Sequence, residues 1–111
     1  MLFRSWNQLV SFVGDDKKGV RKLKSKEIWD GSAFMVKNSN GTNETGFNML
    51  PTGRRDHPSG TFYSEKTMAQ LWTSNPAQTK SAYFVEFNHE NKYSTSFTNK
   101  QLGYAVRCIK K

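Results

Sequence analysis

The sequence predicts an α+β domain: one or two N-terminal helices on a small, twisted, mostly antiparallel sheet, joined by long irregular loops. Three observations lead there. Apolar residues recur at helical spacing only near the start, short alternating runs bounded by turn formers fill the second half, and Gly, Asn, Ser and Thr crowd the stretch between. A length of 111 residues suits one domain spanning 1–111. Aromatics make up 14% of the chain against 35% hydrophobic residues in all, so the apolar content sits in large rings and disorder throughout is excluded.

Taking the elements in order, Trp6, Leu9, Val10 and Val13 share one face of a helix over 5–14, with Ser5 as its candidate N-cap and Gly14 as its stop. DDKKGVRKLKSK at 15–26 keeps Val20 and Leu23 at i, i+3, which suits a short second helix or an irregular crossing. The stretch 28–45 is dense in turn formers and reads as loop, with room for a strand only around Phe34 to Lys37. Short β segments follow at 47–50, stopped by Pro51, and at 61–64, after the turn-like HPSG. Residues 69–74 and 82–88 read as strands separated by the loop NPAQTKS, and NHENK as the hairpin turn leading to a strand at 93–97. The closing segment, 103–110, alternates Tyr104, Val106 and Cys108 against Ala105, Arg107 and Ile109, and the first set is assigned inward. The expected core is therefore Trp6, Leu9, Val13, Phe47, Leu50, Trp72, Val106 and Cys108.

Lys and Arg number 17 against 9 acidic residues, a net charge of +8 that favours acidic partners or serves solubility. No apolar run approaches the roughly 20 residues of a membrane span. Ser5, Asn7, Gln8 and Ser11 interrupt any signal-peptide core in this chain. Cys108 is a single cysteine, which excludes an intrachain disulfide.

Four stretches, GTNETGFNMLPTGRR at 41–55, FYSE at 62–65, LWTSN at 71–75 and GYAVRCIKK at 103–111, follow in the order of a bacterial family's pattern. Through them, and through WNQL, KLKS and Trp29, the chain resembles the Fibrobacter succinogenes major paralogous domain along nearly its whole length. The resemblance implies a C-type-lectin-like fold, related to sulfatase-modifying factors, in proteins of the cell envelope or extracellular space. It implies no established activity. The family's helix is preceded by a C-P-x-G-W-x-x-P-[ST] segment, and MLFRS stands in that place here, so the chain resembles the C-terminal portion of the module, or a shortened version, without the usual N-terminal strand and helix. By the same resemblance, Cys108 marks where a longer member would carry a disulfide.

Several groups bear on chemistry. Asn40, Asn43 and Glu44 can offer oxygens to calcium, but Asx residues also cap turns, which is the preferred reading. The Glu-Pro-Asn and Trp-Asn-Asp signatures of calcium-dependent lectins are absent, and neither metal nor cofactor is expected. RRDH at 54–57, followed by Tyr63 and Glu65, makes Arg54, Arg55, His57, Tyr63 and Glu65 candidate contacts for a carboxylate, phosphate or sulfate. Against this stands simple pairing of Asp56 with an arginine in solvent. Trp72 can stack on a sugar but reads as core. His57 and His89 are the two histidines, no spacing suits zinc, and Glu86 with Glu90 can form a glycosidase pair only by fold placement.

The expected function is a non-catalytic surface or secreted binding module that contacts a glycan or an envelope protein through its loop face. The alternative is a non-specific polyanion or nucleic-acid binder using Lys17, Lys18, Arg21, Lys22, Lys24 and Lys26. That run lacks the interleaved aromatics of nucleic-acid modules, which makes nucleic acid the weaker expectation.

Overall fold

In the computed structural model, residues 3–14, 16–35, 37 and 39–108 are described. Helix α1, Phe3–Val13, buries Trp6, Val10 and Val13 along one face, with Leu9 packed at the margin. It starts before Ser5, which therefore lies inside the first turn instead of capping it. Gly14 ends the helix at φ +102°, a left-handed value that glycine adopts without strain. Helix α2, Lys17–Leu23, is capped by Asp16, whose carboxylate accepts the Gly19 N–H at 2.8 Å, and it buries Val20 and Leu23.

The last carbonyls of α2 are satisfied from far along the chain. Arg21, Lys22 and Leu23 accept the N–H groups of Thr42, Thr45 and Met49 at 2.8, 3.3 and 2.9 Å. Gly41 lies so close that a Cβ there would meet the Lys24 carbonyl oxygen at 2.3 Å, so no side chain fits. Between these segments, in the stretch expected to be loop, Ser32–Phe34 forms a 3₁₀ turn closed by Met35 in the left-handed region, and no strand forms among the described residues around Phe34 to Lys37. The Gly31 carbonyl accepts the Phe34 N–H at 2.9 Å and the Ser32 carbonyl that of Met35 at 3.0 Å, and Val36 lies outside the described residues.

Two antiparallel sheets complete the α+β fold. Strands β1, Arg54–Arg55, and β2, Phe62–Tyr63, form a two-stranded hairpin. Strands β3, Met68–Gln78, β4, Ser81–Asn88, and β5, Tyr93–Asn99, form a meander in the order β3-β4-β5. NPAQTKS is largely strand, not loop: β3 continues through Pro76, with register shifts on either side of it, and turns only at Thr79 and Lys80. Proline has no N–H for the ladder, so the strand bulges there without ending. Single bridges from Gly53 to Ala69, Arg55 to Gly103 and Leu71 to Ala105 join the hairpin and the C-terminal segment to the meander.

Ala69, Leu71, Val85 and Phe87 share the face under α1, where Trp6 meets Phe87 at 5.9 Å and Phe47 edge-on at 5.7 Å. Gln70, Trp72, Phe84 and Glu86 point the other way. Trp72 therefore leaves the main core for a smaller half-buried layer, stacked on Tyr104 at 4.6 Å, with Phe84 against the same ring.

The C-terminal segment corrects the expected core most. Ala105 donates to the Gln70 carbonyl and accepts the Trp72 N–H, both at 3.0 Å, and this parallel register places Ala105 against the core. Its neighbours must then face away, because alternate residues occupy opposite sides. Val106 is 69% exposed and Cys108 is exposed, whereas Arg107 lies over the Phe47 ring at 4.1 Å. Ile109 lies outside the described residues. The same parity argument removes Leu50 from the core. Met49 is buried, fixed by bonds to Leu23 and Ser25, and Leu50 is left 44% exposed in a segment that forms one bridge to Lys24 and no strand.

Candidate functional site

The β1–β2 hairpin carries the sequence-predicted ligand residues. A Cβ at Gly53, which sits at φ +66°, would meet the Tyr63 carbonyl oxygen at 2.1 Å, so the hairpin closes at its base only because glycine stands there. Cross-strand pairing sets Arg54 opposite Tyr63 and Arg55 opposite Phe62. Partners directly opposite share a face and successive residues do not, so the two arginines point to different sides.

On one side, Arg54 lies 5.4 Å from the Tyr63 ring centroid, and its Nε donates to Asp56 at 2.8 Å. Both members of this pair are partly exposed, and such pairs contribute less than about 1 kcal/mol. Tyr104 stands nearby. Burial raises its phenol above the ordinary value, and the Arg54 guanidinium opposes that shift.

On the other side, Arg55 lies 5.6 Å from the centroid of Phe62, a ring that is 61% exposed. One guanidinium nitrogen, Nε, donates to the Gly60 carbonyl at 3.2 Å. A cleft of about 310 Å³ opens beside it, lined by Arg55, Asp56, His57, Gly60, Gln101 and Gly103. Flat apolar ring, fork of donors and polar cleft together suit a hydroxylated or carboxylated ligand.

The structure thus brings Arg55 to His57 and Arg54 to Tyr63, and leaves Glu65 apart, exposed in the turn after β2. Phe62 and Gln101 went unnoticed in the sequence. Phe62 had a signal, since a two-residue strand opposite RR must pair an aromatic with each arginine. Gln101 had none, because only the tertiary bridge from Gly103 to Arg55 brings it there.

The basic run divides. Lys17, Lys18 and Lys26 are exposed, while Arg21 and Lys22 are half-buried, with Arg21 Nε donating to the Asn40 carbonyl at 3.0 Å. Lys24 is no surface cation. It is fully buried, and its Nζ donates to the Ser39 carbonyl at 2.7 Å, the Asn88 carbonyl at 3.0 Å and Asn91 Oδ1 at 2.7 Å, 3.9 Å from the Trp29 ring centroid. Three acceptors and a π-face compensate what water would supply. Burial, followed by the Arg21 charge, still pushes its amine down to about 7.

The remaining candidates serve local structure. Asn43 Oδ1 accepts the Asn48 N–H at 2.8 Å and Asn40 Oδ1 that of Trp29 at 2.9 Å, which is turn capping. Glu86 accepts from Gln70 at 2.8 Å, and Glu90 pairs with Lys92 at 3.0 Å, whose hydrogen bond and charge lower its carboxyl. His89 is buried under Phe34, the rings stacked at 4.3 Å. Among the described residues, no group of three His, Cys, Asp or Glu side chains could hold a metal ion, and no helix is long and apolar enough to cross a membrane.

Fold and site together define a small α+β module whose most specific sequence block, 41–55, is a loop wired to α2 and leading into an arginine-bearing hairpin. The chain belongs to the Fibrobacter succinogenes major domain family, whose profile matches residues 4–110. Comparison with curated proteins found no match, and neither did comparison with solved structures.

Proposed function

We propose that this chain is a non-catalytic binding module of the cell envelope or extracellular space, contacting a glycan or an envelope protein through the β1–β2 hairpin. The observation that carries the reading is Arg55, which lies over the exposed Phe62 ring and also lines a polar cleft. Sugar recognition needs a flat apolar surface for the ring face and fixed donors for the oxygens, and both are present within one cross-strand pair. The non-catalytic part of the reading is supported by the carboxylates nearest the cleft and on the sheet: Asp56 is engaged by Arg54 and Glu86 by Gln70.

The polyanion reading through 17–26 has less support, since Lys24 is withdrawn from the surface and Arg21 is engaged by the Asn40 carbonyl. A glycan array probed with the native chain and with Phe62→Ala tests the proposal. Retention of a glycan by the native chain, weakened at least about tenfold in the variant, is expected. Chemical conversion of a retained glycan, or equal retention by both proteins, would overturn it.

A further inference from the structure

We infer that the Arg55 cleft continues past Gln101 into a second cleft, and that the two together seat a carboxylate-bearing polysaccharide of the uronic-acid type. This rests on the binding-module reading and names the ligand class of that site. The second cleft, of about 300 Å³, is lined by Thr79, Lys80, Asn99, Lys100 and Gln101. Gln101 lines both clefts.

The segment 99–103 is pinned at each end. The Lys100 N–H donates to the Lys80 carbonyl at 2.9 Å, which fixes the β3–β4 turn against the exit of β5. Gly103 exchanges two 2.8 Å bonds with Arg55. A Cβ on Gly103 would sit 3.0 Å from the Arg55 Cβ, so the absence of a side chain lets the segment lie close against β1. Arg55 and His57 therefore stand in one cleft and Lys80 and Lys100 in the other, with amide and hydroxyl groups between them.

Charge decides the ligand. The lining side chains include three permanent cations, Arg55, Lys80 and Lys100, and one carboxylate, Asp56, already paired with Arg54. A neutral chain would not need the lysines. Single-stranded nucleic acid would need a ring for each successive base, and apart from Phe62 beside Arg55 the path offers none: no Phe, Tyr or Trp is among the residues lining either cleft. Hydroxyl-rich sugar units fit the Thr79, Asn99 and Gln101 side chains, while periodic carboxylates fit the Arg55 fork and the two ammonium groups.

The test measures binding of polygalacturonate, dextran and an oligothymidylate to the native chain, to the Lys80→Gln/Lys100→Gln double variant and to Arg55→Lys. Both lysines are exposed, so unchanged melting of the double variant serves as the control for folding. Polygalacturonate should bind the native chain and weaken about tenfold in the double variant. Arg55→Lys should also weaken it, because the charge remains while the fork is lost. Unchanged polygalacturonate binding in both variants, or tighter binding of the oligothymidylate, overturns the inference. Dextran binding that survives every substitution overturns it while leaving the binding-module reading intact. Failure of both polysaccharides to bind the native chain removes the inference and counts against the glycan form of that reading.

Discussion

The two faces of the three-stranded sheet carry similar amounts of apolar surface in sequence, yet only one became the core. On the inner face Ala69, Leu71, Val85 and Phe87 lie under Trp6 of α1. On the outer face the larger rings, Trp72 and Phe84, gain only Tyr104 as a lid and remain half-buried. Period-two alternation tells which residues share a face. The face that ends up inside is chosen by the element that covers it.

The sharpest way to break that comparison is to remove one ring from each side. Trp6→Ala should cost about 3–5 kcal/mol, a large share of the stability of an ordinary domain, as read by urea denaturation. Trp72→Ala should cost about 1–2 kcal/mol, because the indole already meets water. Equal losses would mean that the outer face is a second core. Lys24→Met should fall between them, at about 2–4 kcal/mol: the stem volume is kept, but the Ser39 and Asn88 carbonyls and Asn91 Oδ1 lose their shared donor.

Titration sharpens the inner side further. Lys24 is held near 7 in the folded chain against 10.5 as its ordinary value. The unfolded chain binds more protons across that window, so the stability linked to this group is fully present above about 10.5 and is lost as pH falls through about 7. Tyr93 has the opposite sign. Burial raises its phenol to about 12, and its hydroxyl donates to Asn7 Oδ1 at 2.8 Å, so the linked stability is complete below about 10 and lost as pH rises through about 12. Melting temperatures should rise from neutral pH towards pH 10 and then fall. Lys24→Met should flatten the rise and Tyr93→Phe the fall.

The smallest effect belongs to the C-terminal segment. Val106→Ser should change stability by no more than about 0.5 kcal/mol, and a thiol reagent should label native Cys108 as fast as the unfolded chain. A loss of several kcal/mol, or slow native labelling, would restore the inward register expected from alternation.

Helix α1 was legible because its helical spacing and the Gly14 stop are local, whereas α2 stayed open between a helix and an irregular crossing because Val20 and Leu23 supply one apolar pair. Strands β4 and β5 were legible as alternating runs, but the turn formers of NPAQTKS hid the continuation of β3 to Gln78. The inversion at 104–108 was not, since a single pair of bonds between Ala105 and β3 sets it. Lys24 was hidden for the same reason: in a run of charges it looks solvated, and the partners that bury it lie in two distant loops. The split of RRDH into two opposed faces follows from strand geometry alone, once the hairpin is known to form at that position.

The loop wired to the end of α2 has a kinetic consequence. The amides of Thr42, Thr45 and Met49 are bonded to the carbonyls of Arg21, Lys22 and Leu23, so each must break a bond to the helix before it exchanges with solvent. We expect them to open together with the helix terminus, α2 and the segment 41–49 acting as one cooperative unit. Deuterium should enter all three amides at a common rate, matched to the last turn of α2, and a loop that looks irregular in outline should behave in exchange like part of a helix.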